Sequence, residues 1–410
     1  MGAIPKSSAA SQASSPDAPK PEDKDSLPVF KPLPYSIAEV RAAIPPELFK
    51  SNTALGLAYL ARDIALATAF FSLARHIPSL PNALLRAVAW LGYWWFQGLT
   101  FTGIWVIGHE CGHGAFSSHA WVNHSIGYVL HSALWTPYFS WGISHHRHHM
   151  NHASMERDQV YVPKTRSILG LPSREHEKEH GIDWEEHFGD TPVYTMFMLI
   201  RQQLLAFPAY LLTNVSGQPD YPKGTNHFNP SSVIFTPAQR NAVIMSNIGL
   251  AAMVWAVGAS SRAFGWWNVI AFYGIPWLCV THWFIMITYL QHTDPSIPHY
   301  RGSSWSFARG AAATVDRPFL GWQGRFFLHN VAHDHVAHHF FPKMPFYHGP
   351  AATKYLRAFL EDHYRSSDKN PFSALWYSYN ECQFVEDDGD VLFYRNKEGK
   401  AVLRAENEPQ

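Results

Sequence analysis

Charge is what this chain has least of. Only 16% of its 410 residues are Asp, Glu, Lys or Arg, and 32 basic residues balance 32 acidic ones. That balance excludes a nucleic-acid binder, which needs a basic excess or stripe. Cysteine is nearly absent too. Cys111, Cys279 and Cys382 are too far apart for a zinc ribbon and cannot all pair, so a disulfide scaffold is excluded. No Gly-rich dinucleotide fingerprint follows a strand-like segment, which argues against a nicotinamide or flavin site in this chain.

Residues 1–28 lack aromatics and carry six Ser and five Pro, a composition that cannot bury a core and is expected to be disordered. No apolar run follows the first basic residue, so the segment does not read as a secretory signal.

What the chain has instead is apolar surface and histidine. Hydrophobic residues make up 47% and aromatics 15%, which leans toward a membrane protein or one with a very large core. A bilayer crossing needs about 20 mainly apolar residues. Four stretches qualify, at about 53–74, 87–108, 241–261 and 266–290. The first is the weakest, because Arg62-Asp63 sits mid-segment, and such a pair is expected to face the protein interior. A short Pro-containing link over 75–86 and a tight turn over 262–265 pair the spans as two hairpins. Segments 126–143 and 192–213 are apolar but broken by Pro137, Arg201 and Pro208, and read as interfacial or re-entrant helices. Outside the spans, only Arg75, Arg86 and Arg262 of the basic residues fall on the far side, so the positive-inside rule puts both termini in the cytosol. The sequons at Asn123 and Asn214 would then go unused. The fold expected is an all-α integral membrane protein of four spans with interfacial helices and a cytosolic helical cap.

Histidine accounts for 25 residues, and the histidines cluster where the hairpins end. His109-Glu-Cys-Gly-His113 follows the second span, His145-His-Arg-His-His149 comes about 30 residues later, and His335-Val-Ala-His-His339 lies beyond the fourth. Residues three and four apart share one helix face. Each cluster therefore offers a comb of imidazoles at chelating distance, and by span parity all three face the cytosolic membrane surface. At this histidine frequency H-x-x-H-H is expected only about 0.1 times in such a chain, yet it occurs twice. Eight imidazoles exceed what one zinc needs, and imidazole suits zinc, copper, iron and nickel alike. Two metals, each with an open position, fit the number. His292 follows the fourth span and is placed as a ninth ligand, whereas His146, His152 and His333 read as spectators.

The first cluster also satisfies the H-E-x-x-H pattern of zinc proteases, with Glu110 as general base. An intramembrane protease would leave both H-x-x-H-H copies without a role. A metal transporter using a histidine relay would want polar residues inside the spans, and beyond Arg62-Asp63 and His282 these are scarce.

The chain resembles the membrane fatty acid desaturase superfamily, whose three histidine boxes these are, and within it the delta-12 (oleate) acyl-lipid group of plants and fungi. Supporting segments include Ala43-Ile-Pro-Pro-Glu-Leu-Phe-Lys50, Glu156-Arg-Asp-Gln-Val-Tyr-Val-Pro163, Thr288-Tyr-Leu-Gln-His-Thr-Asp-Pro295 and Ala313-Thr-Val-Asp-Arg317. The resemblance implies a desaturase domain over residues 31–365, a tail at 1–30 and a cytosolic C-terminal extension at 366–410. It implies metal ligands at His109, His113, His145, His148, His149, His335, His338 and His339, with His292 matching a further ligand of the acyl-CoA branch. Where that branch has an Asn one turn earlier, this chain has Thr288, and Pro342-Lys343 also departs from relatives.

The implied activity is O2-dependent desaturation of acyl chains at a di-iron centre. The expected reaction is delta-12 desaturation of oleoyl groups on endoplasmic reticulum phospholipids. An omega-3 desaturase, hydroxylase, acetylenase or epoxygenase is the nearest alternative. The haem-binding His-Pro-Gly-Gly signature is missing, and the resemblance then implies that electrons come from separate cytochrome b5 and its NADH-dependent reductase. Glu110, Asp158, Asp316 and Asp334 are candidates to fix histidine tautomers. Trp94, Trp95, Trp105, Trp135, Trp141, Trp266 and Trp267 are assigned mostly to the interfacial belt.

Overall fold

The structure is a computed structural model that describes residues 27–173 and 191–406. Most of the tail expected at the N-terminus lies outside the described residues. The chain is mostly helical. In order come β1 (Val29–Phe30), α1 (Ile37–Ala42), α2 (Thr53–Ala74), α3 (Ala83–His113), α4 (Ala120–Ala133), α5 (Tyr138–Asn151) and α6 (Pro192–Thr213). Then follow α7 (Arg240–Phe264), α8 (Trp266–His292, with a π-helical turn at Ile270–Gly274), β2 (His299–Tyr300), α9 (Phe307–Ala312), α10 (Trp322–Phe327) and α11 (His335–Phe340). The chain continues through α12 (Gly349–Leu360), α13 (Pro371–Glu381), β3 (Val391–Leu392) and β4 (Arg404–Ala405).

Local chemistry explains where the long helices start and stop. Asn52 and Asn82 cap α2 and α3, their side-chain oxygens accepting N–H groups of Leu55 and of Leu84 and Leu85. Those donors have no partner inside a helix, so each cap satisfies groups that burial would otherwise strand. Helix α3 ends at Gly114, which takes a left-handed φ of 72° that a residue with a Cβ adopts reluctantly. Its middle needs glycine for a different reason. A Cβ at Gly98 would sit 2.4 Å from Cβ of Cys279, and one at Gly103 would meet the Phe327 carbonyl oxygen. Helices α3 and α8 therefore cross at backbone distance, and that crossing brings His109, His113 and His292 to one end of the bundle.

Helices α2, α7 and α8 are long and apolar enough to cross a membrane. Helix α7 turns Ile244, Ile248, Val254, Trp255 and Phe264 outward, and α2 does the same with Leu57, Ile64, Phe71 and Leu73. An apolar stripe facing outward belongs against lipid rather than water. The charged pair inside α2 faces inward: Asp63 is buried, 2.7 Å from both Arg62 and Nε2 of His329.

The second histidine helix is fixed by a spanning one. The residue preceding α5, Pro137, makes no side-chain cap. Instead Oγ of Ser246 on α7 accepts the N–H groups of Phe139 and Ser140 at 2.9 and 3.2 Å. Around the far end, α1, α9, α11 and α12 share a core of Val40, Ile44, Ala308, Val336, Phe340, Leu356 and Leu360. The C-terminal segment folds back onto this body. Ala374 and Leu375 of α13 join the core under α8, β3 pairs antiparallel with β2, and β4 pairs parallel with β1.

Candidate metal centre

The three histidine segments converge. Ring nitrogens of His109, His113, His145, His149 and His338 all lie within 4.8 Å of one another. Beside them, His292, His335 and His339 form one trio and His148, His152 and His292 another, by the same measure. The groups adjoin, with the rings of His149 and His339 stacked at 4.2 Å. His146 is exposed, and His333, although buried, belongs to none of these groups.

Whether these residues suit a metal can be judged from their hydrogen bonds. Nε2 of His113 stands 3.1 Å from Nε2 of His109, His149 stands likewise 3.1 Å from His145, and His335 stands 3.2 Å from His292. Nε2 of His338 and both nitrogens of His339 are buried with no hydrogen-bond partner among the described residues. Such an array of facing nitrogens is costly unless a cation takes their lone pairs. Burial, with the neighbouring imidazoles second, holds His145, His149, His338 and His339 well below the usual histidine range, so these rings are neutral and can ligate. The donor set fits a metal, and a pure imidazole set fits a transition metal.

Outer contacts fix some of the tautomers. Nδ1 of His148 lies 3.0 and 2.9 Å from the two oxygens of the buried Asp158, and Nδ1 of His335 lies 3.2 Å from the Val331 carbonyl. In both rings Nδ1 holds the proton and Nε2 is left bare. Glu110 sits 3.2 Å from Nδ1 of His109 and 4.0 Å from Nδ1 of His338, while its other oxygen accepts the Phe346 N–H. It thus stands on the Nδ1 side of these imidazoles, away from the facing Nε2 atoms, whereas a protease base must reach the open side of the metal that the Nε2 atoms hold. The side-chain carboxylates of Asp316 and Asp334 make no hydrogen bond to a histidine of the groups among the described residues; the Asp334 backbone carbonyl accepts the His338 N–H, and Asp316 accepts the Val336 N–H and pairs with the Tyr364 hydroxyl.

One expectation fails here and one acquires exceptions. His152 is not a spectator by position. It lies seven residues after His145 and four after His148, a spacing that keeps it on the same face although α5 ends one residue earlier. Trp105 and Trp141 are exceptions to the belt assignment made for most of the tryptophans. Both are buried, and their rings stack on His109 at 5.9 Å and on His145 at 4.3 Å. Trp266 and Trp267, by contrast, are largely exposed at the start of α8. No pattern in the sequence distinguishes the two kinds of tryptophan, since both lie near span ends.

A cavity of about 170 Å³ opens against the histidines. His109, His145, His148, His292 and His335 form its floor, and Trp105, Val106, Phe207, Phe284, Ile285 and Val331 line its walls. Gln202, Phe207 and Tyr210 on α6 close one side. Thr288 also faces the cavity, but its hydroxyl donates to the Phe284 carbonyl at 2.9 Å.

Known proteins resemble the chain closely. The family profile described as fatty acid desaturase matches residues 88–370. A delta(12) fatty acid desaturase of Mortierella isabellina is 42% identical over 88% of this chain and 90% of its own length. An oleate hydroxylase of Claviceps purpurea is 39% identical over 90% of this chain and 82% of its own. An endoplasmic reticulum omega-6 fatty acid desaturase of Brassica juncea is 40% identical over 93% of this chain and 97% of its own. With most of its length matched by the profile and nearly all of it by relatives of about 40% identity, this histidine-clustered membrane protein belongs to the fatty acid desaturase family.

Proposed function

We propose that the chain is a delta-12 acyl-lipid desaturase that converts oleoyl to linoleoyl groups on phospholipids of the endoplasmic reticulum. The observation that carries this reading is the apolar cavity whose floor is made of histidines from both metal groups. A fatty acyl chain matches its walls, and no charged side chain lines it. The names of the Mortierella and Brassica relatives support the delta-12 position and the membrane.

In this reading His109, His113, His145, His149 and His338 hold one iron, and His148, His292, His335 and His339 hold a second. Bound iron supplies O2 activation and the oxidising power that an unactivated methylene pair demands. The chain supplies the rest. Asp158 and the Val331 carbonyl keep the Nδ1 protons of His148 and His335 in place, so each Nε2 stays a ligand. Trp105 and Trp141 pack over His109 and His145 and keep water from the floor. With its hydroxyl turned to the backbone, Thr288 leaves its methyl as the surface an acyl chain meets.

Helix α3 is the fourth span in this proposal. Its Trp, Tyr, Gln and Gly lower its mean hydropathy, yet residues 87–108 carry no charge. Then α2–α3 and α7–α8 are hairpins whose histidine-bearing ends share one side, and that side is cytosolic by the placement of Arg75, Arg86 and Arg262. Separate cytochrome b5 and its NADH-dependent reductase deliver electrons there.

A second reading, hydroxylation of the same carbon, draws on the comparable identity of the Claviceps hydroxylase. Expression in a yeast that makes oleate but no linoleate, followed by gas chromatography–mass spectrometry of total fatty acids, separates the two. The expected product is a diene with double bonds at positions 9 and 12. A hydroxy acid would move the assignment to the second reading. No new fatty acid, in membranes whose protein holds a single zinc, would overturn both.

A further inference from the structure

Resting on the desaturase reading, we propose that His152 is a tenth metal-binding histidine, one that completes the second metal's donor set through Nε2. The starting point is an imbalance. The first group gathers five ring nitrogens, whereas without His152 the second has only His148, His292, His335 and His339. Thr288, one turn before His292, donates its hydroxyl to the Phe284 carbonyl.

His152 fills that gap. A ring nitrogen lies within 4.8 Å of those of His148 and His292, and the ring centre stands 4.5 Å from His292, 4.7 Å from His339 and 5.0 Å from His148. The side chain is 3% exposed. Nδ1 stands 2.8 Å from the Gly310 carbonyl oxygen, which can only accept, so Nδ1 carries the proton and the lone pair is on Nε2. This is the arrangement that His148 has with Asp158 and His335 with Val331. The residue is also held by its backbone. Its carbonyl accepts the Trp305 indole N–H at 2.9 Å, and a Cβ at position 310 would lie 2.3 Å from that carbonyl oxygen. A ring with only a packing role would not need its tautomer and its backbone fixed together.

The test is an anaerobic titration of purified apoprotein with ferrous iron, read as equivalents bound per chain and as the affinity of each. His152→Asn keeps an amide where Nδ1 was, preserving the bond to Gly310, and removes the atom that reaches the metal. We expect it to take the first equivalent like the wild type and the second at least about tenfold more weakly. His152→Gly, which leaves the space of an imidazole, should regain the second equivalent when free imidazole is added. A second equivalent bound within twofold of wild type by His152→Asn would overturn the proposal, as would a glycine variant that imidazole cannot restore. A wild-type protein that takes fewer than two irons would instead bring down the two-iron reading on which the proposal rests.

Discussion

The two histidine groups lean on local helix geometry to different degrees. The first takes four of its five nitrogens from two pairs four residues apart, His109/His113 near the end of α3 and His145/His149 inside α5. A helix places such pairs side by side whatever surrounds it. The second has one such pair, His335/His339 on the six-residue α11, and takes His148 from α5 and His292 from the last position of α8. Nothing local brings these three segments together. They depend on outer partners: Asp158 behind His148, the Val331 carbonyl behind His335, and Asp316 under the Val336 N–H. The first group leans more on secondary structure and the second more on tertiary contacts, so the second is the one that distant changes should loosen more.

The largest effect should not distinguish the groups. His145→Ala and His148→Ala remove one ligand from each, and both are expected to bring diene formation below detection while the protein still inserts into membranes. Fatty acid analysis of the yeast and immunoblots of its microsomes check this. Turnover retained in either variant would remove the two-metal reading.

Neighbours of the ligands should separate the groups. Asp158 meets His148 with both oxygens, so Asp158→Asn should weaken the second iron about 10- to 100-fold. Glu110 lies 3.2 Å from Nδ1 of His109, which nevertheless makes no aligned hydrogen bond. Glu110→Gln should therefore cost the first iron less than about tenfold. Iron titrations of the two variants give the comparison. The reverse order, with Glu110→Gln abolishing activity and Asp158→Asn harmless, would favour the protease reading of the first cluster.

The same contrast decides what could be read from the sequence. The pairs in the first group were legible because helical spacing is a local property, and the apolar runs at 53–74, 241–261 and 266–290 coincide with α2, α7 and α8. His292 is legible from its place just after the fourth span and from the family resemblance, but its trio with His335 and His339 forms across distant segments that no local spacing reveals. His152 was missed although its spacing from His145 and His148 pointed to it, because the helix ends at Asn151 and the Gly310 carbonyl that orients it lies 158 residues away in the chain. Trp105 and Trp141 depart from the general belt assignment for a related reason. Whether a tryptophan near a span end meets lipid headgroups or an imidazole depends on which face of its helix the fold turns inward.

The smallest predicted effect tests how α11 is held. Burial pushes the Asp316 carboxyl up to about 7, from an unfolded value of about 4. Between those values the folded protein keeps a proton that the unfolded chain has released. Stability from this group is therefore full below the lower value and declines as pH rises through the higher one. Asp316→Asn cannot titrate, and its side-chain oxygen can still accept the Val336 N–H that Asp316 takes at 2.8 Å. The stability of the wild type relative to this variant should accordingly fall between pH 5 and pH 8 by more than about 1 kcal/mol. Thermal unfolding of the detergent-solubilised proteins at several pH values measures that difference. A difference that stays flat with pH would show that Asp316 is ionised throughout. Its carboxylate, held by the Val336 N–H and the Tyr364 hydroxyl, would then be a permanent negative charge beneath the helix that carries His335 and His339.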